Sequence, residues 1–177
     1  WHEALVEVHL LQAEGAADLL DLFAQGKTLG SLIRIPNGFE KQIDNIEASI
    51  AAKFARPDMM EQTAARQLAP FVRAAKMLAR KYDCVIANPP YMGQGAMNSG
   101  LKEFAQSNHP ETKSDLFAMF MERCIGLAAA NRTVGLMTPF TWMFLSSYEK
   151  LRRTLVFENT ILSLIKPEYH SFFDSAY

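Results

Sequence analysis

The stretch Cys84-Val85-Ile86-Ala87-Asn88-Pro89-Pro90-Tyr91 constrains this chain more than any other. Its first four residues form a short apolar run that reads as a buried strand. Proline fixes φ and lacks an N–H, so Pro89 and Pro90 in succession end the strand and hold the chain extended. Asn88 precedes a proline and is itself pushed out of the helical region. The cluster offers a side-chain amide that both donates and accepts, proline carbonyls that only accept, and the flat face of Tyr91. At the carboxyl end of a parallel strand, such a rigid group lies where open α/β sheets bind ligands. It suits a planar ring that carries an exocyclic amino group.

The surrounding elements fit that frame. Residues 5–11 read as a strand or a helical extension, and 16–24 carry apolar residues at helical spacing up to a stop at Gly26. Residues 29–35 read as a strand closed by the turn signal Pro36-Asn37-Gly38. Phe39, Ile43, Ile46, Ile50 and Phe54 then mark an amphipathic helix over 39–55. Pro57 breaks it, and 58–81 predict a second long helix with Met60, Ala64, Leu68, Phe71, Ala75 and Leu78 on one side and a kink at Pro70. The two helices are expected to form a hairpin across one sheet face.

Beyond Tyr91, the Gly-, Asn- and Ser-rich residues 93–100 predict a mobile loop, placed as a lid would be. A short helix is expected over 101–106, then a turn at His109-Pro110. Ser114 is the expected cap of a helix over 115–130 whose stripe is Leu116, Phe120, Cys124 and Leu127. Asn131 ends it; a strand follows over 133–138, a helix from Ser146 or Ser147 to about 156, and a strand over 160–165. Strands alternating with helices at these spacings predict a parallel sheet with right-handed crossovers.

Composition excludes several classes. An apolar fraction of 49% over 177 residues allows one domain with a real core. No run is long enough for a membrane helix, and the formal net charge of −1 rules out a basic module that coats DNA. Cys84 and Cys124 sit in apolar segments, which predicts buried, reduced thiols of a cytoplasmic protein. The four histidines show no metal-ligand spacing. Trp1 is no natural start residue, so an internal piece of a longer chain is expected.

Asn88-Pro89-Pro90-Tyr91 after an apolar strand resembles the catalytic motif of adenine-specific DNA methyltransferases. Tyr91-Met92-Gly93, the segment 113–120, Gly135-Leu136-Met137-Thr138-Pro139 and the segment 142–152 follow in that family's order. The series is most similar to the large PglX-type methyltransferases of bacteriophage-exclusion (BREX) systems and to methylases fused to restriction enzymes. The resemblance implies an α/β fold, a partial Rossmann-like class I methyltransferase sheet, mostly parallel, with an inserted helical hairpin. Residues 1–177 would be the carboxyl-side part of one such domain, with the hairpin over about 39–81 and the catalytic-motif half over 82–177.

The chemistry follows from the same resemblance. The N6 lone pair of adenine is delocalised into the ring, so the amine is a poor nucleophile. The Asn88 side-chain oxygen and the Pro89 carbonyl would accept its two N–H groups and free the lone pair, with Pro90 holding the turn. Tyr91 would stack on an adenine flipped out of double-stranded DNA, and Phe173 would supply a second aromatic. Asp115, Leu116 and Phe117 would wall the pocket of the methyl donor, S-adenosylmethionine. No Gly-x-Gly turn precedes Asn88, so the main donor-binding motif is expected upstream and these residues alone are expected to bind the donor weakly and turn over little. Arg152, Arg153 and Lys150 are candidates for phosphate contact or for a solvated helix face. Other defence-system subunits are the further partners implied, with no membrane, in a bacterial cytoplasm. Two other readings stay open: a methyltransferase acting on RNA or on protein glutamine, and a non-catalytic recognition or assembly module that keeps the fold.

Overall fold

A computed structural model describes residues 14–166. The strand or helical extension expected over 5–11 and the aromatic pair Phe172 and Phe173 lie outside the described residues. The chain divides into two compact units. One comprises 1–85 and 125–134, the other 86–124 and 135–177.

The first unit is built on helices. Helix α1 (Ala16–Leu22) and a single turn α2 (Gly26–Leu29) lead into a 3-10 turn over Gly30–Leu32. The strand expected over 29–35 is therefore absent. Leu29, Leu32 and Ile33 are buried by helical turns instead, and the described residues offer that segment no strand to pair with. Gly38 then has a φ of 85°, the value a type II turn demands at its third position, and Phe39 N donates to Pro36 O at 3.1 Å to close it.

Helices α3 (Glu40–Phe54) and α4 (Met59–Ala79) form the hairpin that periodicity predicted. Ile43, Ile46 and Ile50 face Ala64, Ala65, Leu68, Val72 and Ala75 in a closed seam. Burying each isoleucine contributes at most about 2–3 kcal/mol. Lys53 pairs with Glu61 beside the turn, and Lys76 reaches Glu47 at 2.6 Å and Asp44 at 3.4 Å farther along, which fixes the antiparallel register. Asp58 caps α4, accepting from Met60 N and Glu61 N. The buried stripe keeps Ala64, Leu68 and Ala75 of the expected one and adds Ala65 and Val72, while Met60 in the first turn is 67% exposed. The helix runs on through Pro70.

Strands β1 (Tyr82–Ala87) and β2 (Ala128–Leu136) form a two-stranded sheet. Asp83 pairs with Arg132 at 2.7 Å, Ile86 lies beside Gly135, and Met137 N donates to Ala87 O at 3.1 Å. Partner numbers rise together, so the strands are parallel, as the resemblance implied. Asn131 sits in β2 with a φ of 60°, a value asparagine tolerates better than most residues. The expected burial of β1 is not found: Cys84 is exposed and Ile86 is 80% exposed. Buried parallel strands need layers on both faces, and the described residues cover this one only in part, with Val85 and Ala87 half-buried. The strand expected over 160–165 is likewise irregular, because nothing among the described residues continues the ladder beside it.

The second unit holds α5 (Ser99–Asn108), capped by Asn98, whose side chain accepts from Leu101 N at 2.8 Å, and the start of α6 (Leu116–Leu127). After β2 come 3-10 turns at Phe140–Met143 and Ser146–Tyr148, then α7 (Glu149–Arg153) and a π-helical turn over Thr154–Glu158. Helix α6 is buried almost all round here, through Leu116, Phe117, Ala118, Met119, Met121 and Cys124, rather than along one stripe. Phe117, Ala118, Met121, Trp142, Tyr148 and Leu151 form the core of this unit. His109 is fully buried, its ring 5.6 Å from that of Phe104, with Nδ1 3.0 Å from Glu122 Oε2, which also accepts from Thr112 Oγ1.

Candidate active site

Of the residues that sequence reasoning singled out, Asn88 to Tyr91 and Asp115 to Phe117 lie near one another beyond the carboxyl end of β1, within the second unit. The strand stops at Ala87, and Asn88 follows with its side chain open to solvent. Pro89 is buried and Pro90 exposed, so the pair anchors the turn on one side and leaves the other free. Tyr91 is 54% exposed. Its hydroxyl lies 3.3 Å from Asn88 Oδ1 and 3.4 Å from Met137 O, and its single proton serves one acceptor at a time. Both distances are long for hydroxyl bonds, so these contacts orient the ring without fixing it firmly. Burial pushes the Tyr91 phenol above its ordinary value.

The ring is braced from behind. Phe117 stands edge-on to it, with centroids 6.4 Å apart and planes at 87°, and Phe117 in turn contacts Tyr148 at 5.5 Å. Phe117 is 1% exposed and Leu116 is 7% exposed. Their side chains therefore belong to the core, and what they present outward is backbone. Asp115 is placed differently. Its Oδ1 accepts from Met92 N at 3.0 Å and from Phe117 N at 3.2 Å, so Asp115 caps α6, the part expected of Ser114.

The segment after Tyr91 is tied down rather than loose. Gly93 and Asp115 form an antiparallel bridge, Leu116 N donates to Met92 O, and Gln94 N donates to Ser114 O, both at 3.0 Å. A 3-10 turn at Gln94–Ala96 follows, and Met97 is 3% exposed. The lid expected over 93–100 is thus a short pinned turn running into α5. Glycine content suggested mobility, but backbone bonds to a distant segment decide the outcome.

The basic residues after Ser147 are engaged within the protein. Arg152 Nη1 donates to Trp142 O at 2.8 Å and to Leu145 O at 2.6 Å, Lys150 pairs with Glu111 at 3.1 Å, and Arg153 lies over the Phe157 ring at 5.5 Å. Among the described residues no three His, Cys, Asp or Glu side chains converge as metal ligands would. No helix among them is long and apolar enough to cross a membrane. Sequence reasoning missed one participant in the site's framework, the carbonyl of Met137. Its signal was the segment 135–139, which was matched in order but given no role.

Comparison with known proteins adds a second line of support. The family model described as Eco57I restriction-modification methylase matches residues 18–173. The chain is 42% identical over 145 residues to the adenine-specific methyltransferase BrxX of Escherichia coli O9:H4 (strain HS), a match covering 82% of this chain and 12% of that protein. It is 37% identical over 142 residues to the adenine-specific methyltransferase PglX of Lacticaseibacillus casei (strain Zhang), covering 78% of this chain and 12% of that protein. The chain therefore spans 12% of the length of either relative.

Proposed function

The chain belongs to the Eco57I restriction-modification methylase family, and from that premise we propose that it carries the methyl-transfer site of an enzyme acting on adenine N6 in DNA. The observation that carries this reading is the open placement of Asn88 beside an exposed Tyr91, with a neutral phenol and a rigid Pro-Pro turn between them. The two-stranded parallel sheet is read as part of a larger Rossmann-like sheet into which the α3–α4 hairpin is inserted.

The residues present divide the work. Asn88 Oδ1 and the Pro89 carbonyl oxygen accept from the two N–H groups of the amine, drawing its lone pair out of conjugation. Such acceptors act by electrostatic preorganisation, which gains most when they need not reorient during the reaction. Tyr91 gives the base a flat partner, on the order of 1–3 kcal/mol for such stacking. S-adenosylmethionine, when bound, supplies an electrophilic methyl group. The start of α6 would back such a donor rather than grip it: Asp115 Oδ1 is taken up by the Met92 and Phe117 amides, and Leu116 and Phe117 face the core. The resemblance to bacteriophage-exclusion methyltransferases suggests a role in phage defence, with double-stranded DNA as substrate.

The test is the purified full-length protein given labelled S-adenosylmethionine and, separately, DNA, RNA and a glutamine-containing peptide. Label appearing at adenine N6 in DNA alone is the expected result. Label on RNA or peptide would reassign the substrate, and none on any acceptor would favour a non-catalytic module.

A further inference from the structure

One oxygen atom joins the two segments that hold Tyr91. Asp115 Oδ1 accepts from Met92 N, the amide directly after Tyr91, and from Phe117 N, the amide of the residue whose ring backs Tyr91. Around it, Leu116 N donates to Met92 O and Gln94 N to Ser114 O, so 92–94 and 114–116 form a short antiparallel clasp. The carboxylate is half-buried, where each charge-assisted bond is stronger than a neutral one. A cap alone needs only the bond to Phe117. The bond to Met92 crosses from one segment to the other and does nothing for the helix.

We propose that Asp115 is a positioning residue for Tyr91: it locks the exit of the Asn88–Tyr91 turn against the start of α6 and so sets where the stacking ring stands. This rests on the reading of that turn as the methyl-transfer site. It assigns Asp115 a part in the rate of the reaction rather than in the affinity for the methyl donor.

Three variants of the full-length protein separate the possibilities. Asp115→Asn keeps an oxygen acceptor at the same reach and should hold kcat within about threefold of the parent. Asp115→Ala loses both bonds, and kcat should fall about ten- to a hundredfold while KM for S-adenosylmethionine and for DNA stays within roughly twofold. Asp115→Ser still caps the helix but is too short to span to Met92, so it should fold normally and share the kcat loss of the alanine variant. The serine variant decides the matter if the alanine variant fails to fold. Parental kcat in folded Asp115→Ser, an asparagine variant as slow as alanine, or a raised KM for the donor with kcat unchanged would each overturn the proposal. A parent protein that methylates no DNA would instead remove the reading beneath it, a result visible before any variant is made.

Discussion

The ring of Phe117 stands at 87° to that of Tyr91, 6.4 Å away between centroids, so a fully buried aromatic aims a half-exposed one. Edge-to-face pairs of this kind contribute about 0.5–1.5 kcal/mol beyond the area they bury. Tyr91 is thus oriented mainly by its apolar face, and its hydroxyl contacts at 3.3 and 3.4 Å are secondary. Tyr91→Phe should therefore keep activity within a few fold. Tyr91→Ala should lose stacking on the order of 1–3 kcal/mol, about five- to 150-fold in kcat/KM for DNA. Steady-state methylation of a DNA substrate by both variants of the full-length protein checks this; equal losses would assign the work to the hydroxyl.

Asn88 is exposed, and the Tyr91 hydroxyl contacts its side chain only loosely, at 3.3 Å. Asn88→Ala should leave the thermal midpoint unchanged, with a stability difference within about 0.5 kcal/mol. Methylation should drop by about a hundredfold or more, the scale seen when a preorganised transition-state contact is deleted. Surviving methylation in a folded Asn88→Ala protein would end the catalytic assignment.

Arg152 spans two carbonyls, Trp142 O and Leu145 O, from one nitrogen, and these belong to the turn that carries the buried Trp142. Arg152→Ala should cost about 1–3 kcal/mol in unfolding free energy by leaving those carbonyls without their donor. The salt dependence of DNA binding should stay as it was, since no phosphate contact is lost. Denaturant melts and binding isotherms at several salt concentrations distinguish the two effects; a shallower salt slope would restore the phosphate reading.

Burial, and then the neighbouring Asp115 carboxylate, raise the Tyr148 phenol above its ordinary 10.0. A raised value in the fold means the native state keeps its proton longer than the unfolded chain. That contribution to stability is complete below pH 10 and is lost as pH climbs through the folded value. The thermal midpoint should therefore fall as pH is taken above 10, and Tyr148→Phe should flatten that decline. Identical alkaline profiles for both proteins would exclude Tyr148 as a source.

What could be read from the chain alone was whatever local rules decide. The α3–α4 hairpin follows from apolar residues at helical spacing, Ile43, Ile46 and Ile50 in α3 and Ala64, Leu68 and Ala75 in α4, with the break at Pro57. The turn at Asn88 follows from two prolines. What could not be read depends on partners distant in sequence. Residues 29–35 and 160–165 have strand-like patterns, yet a strand exists only where another accepts its hydrogen bonds. Ser114 and Asp115 are equally good caps by type, and only the reach to Met92 chooses between them. Glycine-rich 93–100 reads as loose until the bridge to Asp115 is seen.

The contrast between the two thiols has a practical use. Cys84 faces solvent, whereas Cys124 is enclosed and burial pushes its thiol up against a weaker opposing pull from Arg123. A mild alkylating dye at neutral pH will mark Cys84 and spare Cys124 in this stretch. That plants a fluorescent reporter just ahead of Asn88 without introducing any new attachment point.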